Sequence, residues 1–141
     1  MEQTLKPLYQ SLETHCQDIS VQCQSTENIE VMANFVFEET FSGFDGHFPG
    51  QPVLPGIIQL ATVRFLAEHG LKQQLTPVSY NSTKFRGVIF PNEKLHVRIT
   101  LKQHETTWKG AFTIEKHEQD NTTSVVTKGQ CEFSPETGDS V

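Results

Sequence analysis

His47 sits in Gly46-His47-Phe48-Pro49-Gly50-Gln51-Pro52-Val53-Leu54-Pro55-Gly56, a run that ends where an apolar helical pattern begins. An imidazole on a loop stiffened by prolines and aimed at a helix N-terminus has the makings of a general base facing a carbonyl- or anion-binding site. The first-turn amides, starting near Gly56, could hydrogen-bond a thioester or carbonyl oxygen as charge develops on it, and a glycine there lets a substrate come close. Phe48 and Pro55 would line the same site. The same prolines and glycines would also serve simply to shape a turn, and these residues alone leave both uses open. His15, His69, His96, His104 and His117 stand in polar or exposed settings. No pair of them has metal-ligand spacing with a supporting carboxylate, and Cys16 and Cys23 are no better placed, so the sequence calls for no metal and no cofactor.

The elements around this loop follow from periodicity. Leu5, Leu8, Tyr9, Leu12 and Cys16 recur at helical spacings, which predicts an amphipathic helix over 3–17 with Pro7 suited only to its first turn. Ile29, Val31, Ala33, Phe35 and Phe37 occupy alternate positions and predict a half-buried strand over 28–37. Residues 42–56 hold three prolines and four glycines in fifteen positions, too dense for a regular element. Then Ile57, Leu60, Ala61 and Phe65 share a stripe that Val63 and Leu66 widen, predicting a buried helix with Gly70 as its stop. Four further runs, 79–88, 94–102, 108–116 and 124–133, read as two-faced strands of antiparallel type. Residues 134–141 read as a polar, disordered tail. The order predicts an α+β fold, a sheet wrapped on one central helix, in a single domain over 1–133.

Composition bounds the partners. A chain of 141 residues with 35% hydrophobic content is long enough for one domain with a real core. No stretch approaches the roughly 18 apolar residues of a membrane span, and residues 1–10 lack the pattern of a signal peptide. The expectation is a soluble cytoplasmic protein with no membrane partner. A net charge of -6 argues against nucleic acid. Three cysteines without a CxxC pair point to reduced thiols. Charge is uneven: residues 84–102 hold Lys84, Arg86, Lys94, Arg98 and Lys102 against Glu93 alone. That segment is either a solvated strand face or a docking patch for an acidic partner or a phosphate.

The run GHFPGQPVLPGIIQL closely resembles the signature of the β-hydroxyacyl-acyl carrier protein dehydratases of fatty-acid synthesis, the FabZ/FabA family, and KFRGVIFPNEKL resembles that family's second landmark. The similarity runs over about residues 30–102. It implies a hot-dog fold, an antiparallel β-sheet around a long central α-helix, usually paired as a dimer with two active sites at the interface. A homodimer, a higher oligomer of dimers and a heterodimer all fit. The resemblance implies that His47 removes the α-proton of a 3-hydroxyacyl thioester and that the Gly56 amide holds the thioester oxygen. The substrate would be carried by acyl carrier protein or coenzyme A, with Lys84 and Arg86 against the carrier or its phosphopantetheine phosphate.

One position departs from the family. In that family a Glu or Asp fourteen residues after the histidine, contributed across the interface, helps the β-hydroxyl leave, and here that position, which should line the substrate, is Ala61. Glu68 lies on roughly the same helix face but about 10 Å further along the axis. Arg64 stays protonated, and Gln59 and Thr62 can orient water rather than supply a proton. A single imidazole could take the α-proton and return it to the leaving hydroxyl in a syn elimination. The implied activity is a 3-hydroxyacyl-thioester dehydratase giving a trans-2-enoyl product, in fatty-acid or polyene- and polyketide-like lipid synthesis. A hot-dog acyl thioesterase and a half-catalytic subunit completed by a partner's acid are the alternatives.

Overall fold

In chain order the elements are helix α1 (Glu2–Thr14), strands β1 (Cys16–Ser25) and β2 (Asn28–Val36), a 3-10 turn at Ser42–Phe44, helix α2 (Gly56–Leu71), and strands β3 (Leu75–Phe85), β4 (Lys94–His104), β5 (Thr107–His117) and β6 (Thr123–Pro135). The computed structural model describes residues 2–44 and 52–136, so residues 45–51, with His47 and Phe48 among them, and residues 137–141 of the expected tail lie outside the described residues. The strands join in the order β1-β2-β4-β5-β6-β3 with every pairing antiparallel.

Alternation decides the middle of this sheet. Ile29, Val31, Ala33 and Phe35 of β2 are buried, as are Leu95, Val97, Ile99 and Leu101 of β4 and Trp108, Phe112 and Ile114 of β5. They share one face because cross-strand partners such as Val31 and Ile99 point the same way. That face wraps α2, whose Val63, Leu66 and Ala67 are fully buried. Each fully buried Val, Leu or Phe contributes about 1.5–3 kcal/mol, so this layer of side chains carries the fold. Among the described residues no helix is long and apolar enough to cross a membrane.

Four expectations are corrected. The first helix stops at Thr14 and runs through Pro7 rather than starting beside it, and Cys16–Ser25 is a strand instead. This strand is at the sheet edge and mostly exposed, and a bulge after Gln17 puts Asp18 at φ 54°, so it shows no apolar alternation. Gly70 does not end α2: a β-carbon there would collide with Val31 Cγ2, so the glycine lets the helix lie close on β2, and Lys72 takes the left-handed cap at φ 56°. The helix is also turned about its axis relative to the expected stripe. Gln59, Thr62, Val63, Leu66 and Ala67 face the sheet, while Ile57 is 76% exposed and Leu60, Ala61 and Phe65 are only half-buried. Two polar residues could go inside because both are satisfied there, the Thr62 hydroxyl donating to the Ile58 carbonyl at 2.8 Å. Finally β6 runs on to Pro135, paired with Leu75, so ordered strand extends past the expected boundary at 133.

The last turns of α2 set where β3 begins. Arg64 Nη2 donates to the Leu75 carbonyl at 2.6 Å, and the Leu75 N–H donates to Glu68 Oε2 at 2.7 Å. Charge-assisted bonds of this kind are the stronger class, and together they pin both polar groups of one strand residue to the helix.

Candidate active site

Helix α2 starts abruptly. Pro55, extended at φ -65° and ψ 151°, stands just outside it and offers no side-chain cap. Its carbonyl accepts from the N–H groups of both Ile58 and Gln59, each at 3.1 Å. The N–H groups of Gly56 and Ile57 have no acceptor among the described residues, the usual state of a first helical turn. With the positive end of the helix dipole behind them, two such amides suit a developing oxyanion. The segment ahead is tied on both sides: the Leu54 N–H donates to the Ile89 carbonyl at 2.8 Å, and the Leu54 carbonyl accepts from Gln59 Nε2 at 3.1 Å. Gly56 is expected to leave room for a substrate. Part of that room is taken by Phe85, since a β-carbon on Gly56 would stand 2.8 Å from Phe85 Cζ.

Ala61 lies on the helix face opposite the sheet, half-buried. At about 100° per residue it shares that face with Ile57, Arg64, Phe65 and Glu68. Glu68, two turns further along, is committed elsewhere: one oxygen accepts from Leu75 and sits 3.6 Å from Arg64 Nε. Arg64 is likewise held on Leu75. Gln59 and Thr62 are buried on the sheet side with their own partners. The structure thus brings none of the four side chains weighed as substitutes into the place of the missing acid.

Phe85, between Lys84 and Arg86, reaches Gly56, so both cations are chain neighbours of a residue that packs on the head of α2. Lys84 points to the outer face of the sheet, directly opposite Lys128. The register continues through Thr113 to Arg98, so three exposed cations stand in one row across β3, β6 and β4. Like charges facing each other across a ladder destabilise it, and among the described residues no carboxylate pairs with any of the three. Lys128 was not singled out from the sequence, since only the register places it beside Lys84. Lys102 instead opposes Lys109 toward the other end of β4, so the basic segment is not a single patch.

Titration is displaced mostly by burial. Burial pushes the Tyr80 hydroxyl up to about 12, helped by nearby Cys131, and pushes the Cys131 thiol up to about 12 as well. Tyr9 is raised first by burial and then by the negative charge of Glu68. These groups stay protonated at neutral pH and supply no base. A groove of about 520 Å³ crosses the outer face over Gly110 and Ala111, between Glu30, Lys102, Lys109 and Glu132. It lies on the side of the sheet away from α2 and plays no part at Gly56.

Comparisons with known proteins agree with this fold. The model of the ApeI-like family, described as ApeI dehydratase, matches residues 22–127. A curated relative, the 3-hydroxyacyl-[acyl-carrier-protein] dehydratase FabZ of Rickettsia bellii, is 30% identical over 81 residues, covering 51% of this chain and 56% of the relative. The chain thus spans a little over half the length of that relative. Among solved structures, the dehydratase heterocomplex ApeI:P from Xenorhabdus doucetiae has a TM-score of 0.66 at 21% identity, covering 84% of this chain and 97% of that one. An acyl-CoA hydrolase mutant from Staphylococcus aureus in complex with coenzyme A has a TM-score of 0.62 at 12% identity, covering 78% of this chain and 66% of that one. The two likenesses show the hot-dog fold, shared by dehydratases and thioesterases.

Proposed function

Because the chain belongs to the ApeI-like family of dehydratases, we propose that it eliminates water from a 3-hydroxyacyl thioester to give a trans-2-enoyl thioester, with His47 as the base. The observation that carries this reading is the head of α2, where the Gly56 and Ile57 amides are free among the described residues at the end of the segment that follows His47. His47 takes the α-proton, and the electron pair moves toward the carbonyl oxygen, which the Gly56 amide stabilises. Phe48 and Pro55 line the substrate. As the enolate collapses, the C–O bond to the β-hydroxyl breaks and the imidazolium gives its proton to the leaving oxygen, so that water departs and the imidazole is restored. Doing without a separate acid typically costs on the order of 100- to 10,000-fold. No cofactor enters. Lys84 and Arg86, extended by Lys128, receive the acidic carrier protein or the phosphate of its prosthetic arm, and the reaction is cytoplasmic.

A second reading is favoured by the face that holds Ala61. Ile57 is 76% exposed, and Phe85, Val88 and Phe90 add exposed apolar surface near the same end. A second hot-dog chain fits that surface, and a related subunit that keeps the acid would supply the carboxylate that this chain, with Ala61, does not. The heterocomplex similar to this chain makes the hetero pairing the one to test.

Mass spectrometry of purified protein with 3-hydroxyacyl and enoyl substrates on carrier protein and on coenzyme A decides between the readings. Loss of one water from the acyl chain, abolished by His47→Ala, is the expected result. Loss of the whole acyl group would mean a thioesterase. No change alone but dehydration with an added acid-bearing hot-dog subunit would establish the second reading.

A further inference from the structure

Gln59 does not belong in its surroundings by polarity. It is 3% exposed on the sheet-facing side of α2, and Thr127 of β6, which it meets, is fully buried. The amide orientation is forced: the Leu54 carbonyl can only accept, so Nε2 faces it at 3.1 Å, and Oε1 accepts from the Thr127 hydroxyl. Burying an amide and a hydroxyl is costly unless they are bonded, whereas an apolar pair of the same shape serves a core equally well. Core stability therefore does not explain the pair.

What the pair touches does. Leu54 is held by Gln59 through its carbonyl and by Ile89 through its N–H. Thr127 is the ladder partner of Phe85, whose ring rests against Gly56. The neighbouring Val126 carbonyl accepts from Arg86 N–H at 2.7 Å and from Gly87 N–H at 3.2 Å. Three pieces of chain that meet at Gly56, namely residues 54–56, the end of β3 with the segment after it, and β6, are thus referenced to one buried hydrogen-bonded pair.

We propose that Gln59 and Thr127 are positioning residues, a latch that fixes the end of the loop at Leu54 and thereby aims the Gly56 amide. The structural part stands by itself; the catalytic consequence rests on the dehydratase reading. There the latch determines how well the amide meets the developing oxyanion, where displacements of about 1 Å cost roughly 100-fold in rate.

The test uses the full chain with Thr127→Val, Thr127→Ser and Gln59→Glu. Amide-resolved hydrogen exchange reads the latch without any reaction: Pro52 and Pro55 carry no amide, so Val53 and Leu54 report the segment between them. Thr127→Val should speed exchange at Leu54 by about tenfold or more while exchange in β4 and β5 holds, and Thr127→Ser should restore it. Unchanged exchange at Leu54 in Thr127→Val overturns the proposal. Turnover gives a second readout. A carboxylate at 59 cannot donate to the Leu54 carbonyl but a neutral carboxyl can, and burial favours the neutral form. Gln59→Glu should therefore be about 10- to 100-fold slower than wild type near pH 8 and approach it as pH falls. A ratio to wild type that stays flat with pH overturns the latch's catalytic role. If the wild type dehydrates nothing even with an added acid-bearing hot-dog subunit, the dehydratase reading fails while hydrogen exchange still decides on the latch.

Discussion

Replacing Gly56 with Ala separates what the head of α2 does for stability from what it does for chemistry. The new β-carbon would stand 2.8 Å from Phe85 Cζ and 3.0 Å from Cε1. Carbon contacts are optimal near 3.5–4.0 Å, so the ring must retreat by roughly 1 Å. It is free to do so, since Phe85 is already 50% exposed. Half of a phenylalanine's burial is worth about 1 kcal/mol, and an alanine in place of a helical glycine returns up to about 1 kcal/mol. Stability should therefore change by no more than about 1 kcal/mol, a shift of a few degrees in melting temperature. Turnover should behave differently. With the ring displaced and the first turn crowded, the Gly56 amide no longer meets the carbonyl oxygen squarely, and losing one oxyanion donor costs about 100- to 1,000-fold. A loss of roughly 10- to 100-fold in kcat is expected for partial misplacement. Adding Phe85→Ala removes the collision and should recover part of it. Thermal melts and kcat on the same preparations check this. A Gly56→Ala protein with wild-type kcat would refute the oxyanion role, and one destabilised by more than about 3 kcal/mol would refute the claim that Phe85 can yield.

Ala61→Glu is expected to raise dehydration by the chain alone, up to the 100- to 10,000-fold that a well-placed acid supplies. A mutant slower than wild type would show that another group already does the acid's work. Reversing Lys84, Arg86 and Lys128 to Glu should lower kcat/KM for carrier-linked substrate roughly tenfold or more at low salt, and much less at high salt. Equal values at low salt would return these cations to a solvated face. At pH 8 Cys131, buried and pushed up to about 12, should alkylate far more slowly than exposed Cys23 in the folded protein, the two becoming similar in urea. Comparable native rates would contradict the burial of Cys131.

The inner strands are legible because their neighbours on both sides enforce alternation: every second residue is buried throughout β2 and in β4 as far as Leu101. Strand β1 was not, for it has a partner on one side only and a bulge at Asp18 breaks its period. The orientation of α2 is not legible in the sequence because apolar residues line most of its circumference, so composition does not say which side meets the sheet. Only the partners of Gln59 and Thr62 show that the polar residues go inside. For the site, the local run around His47, Pro55 and Gly56 could be read along the chain, as could the absence of an acid at Ala61. The Thr127 contact and the facing of Lys84 and Lys128 depend on register between strands distant in sequence, which no local pattern carries. A lone glutamine in the apolar start of a helix was the one available signal.

The two faces of α2 divide the labour of the proposed site. The sheet side holds Gln59 and Thr62 with every polar group bonded, and it fixes Leu54 and hence the head of the helix. Among the described residues the opposite side is anchored only at its C-terminal half, where the Phe65 and Tyr9 rings meet edge-on at 5.6 Å and Arg64 and Glu68 hold Leu75. At its N-terminal half Ile57 is left 76% exposed one turn before Ala61. Among the described residues, the part of the helix beside the free amides is therefore the part left uncovered. On the two-chain reading, carbonyl stabilisation at Gly56 would rest on contacts within the chain, whereas the acid that assists the leaving hydroxyl would come from whatever covers Ile57. Loss of the acid and choice of partner are then one question, because a site whose second half is built by another chain can lose its own carboxylate without losing the reaction.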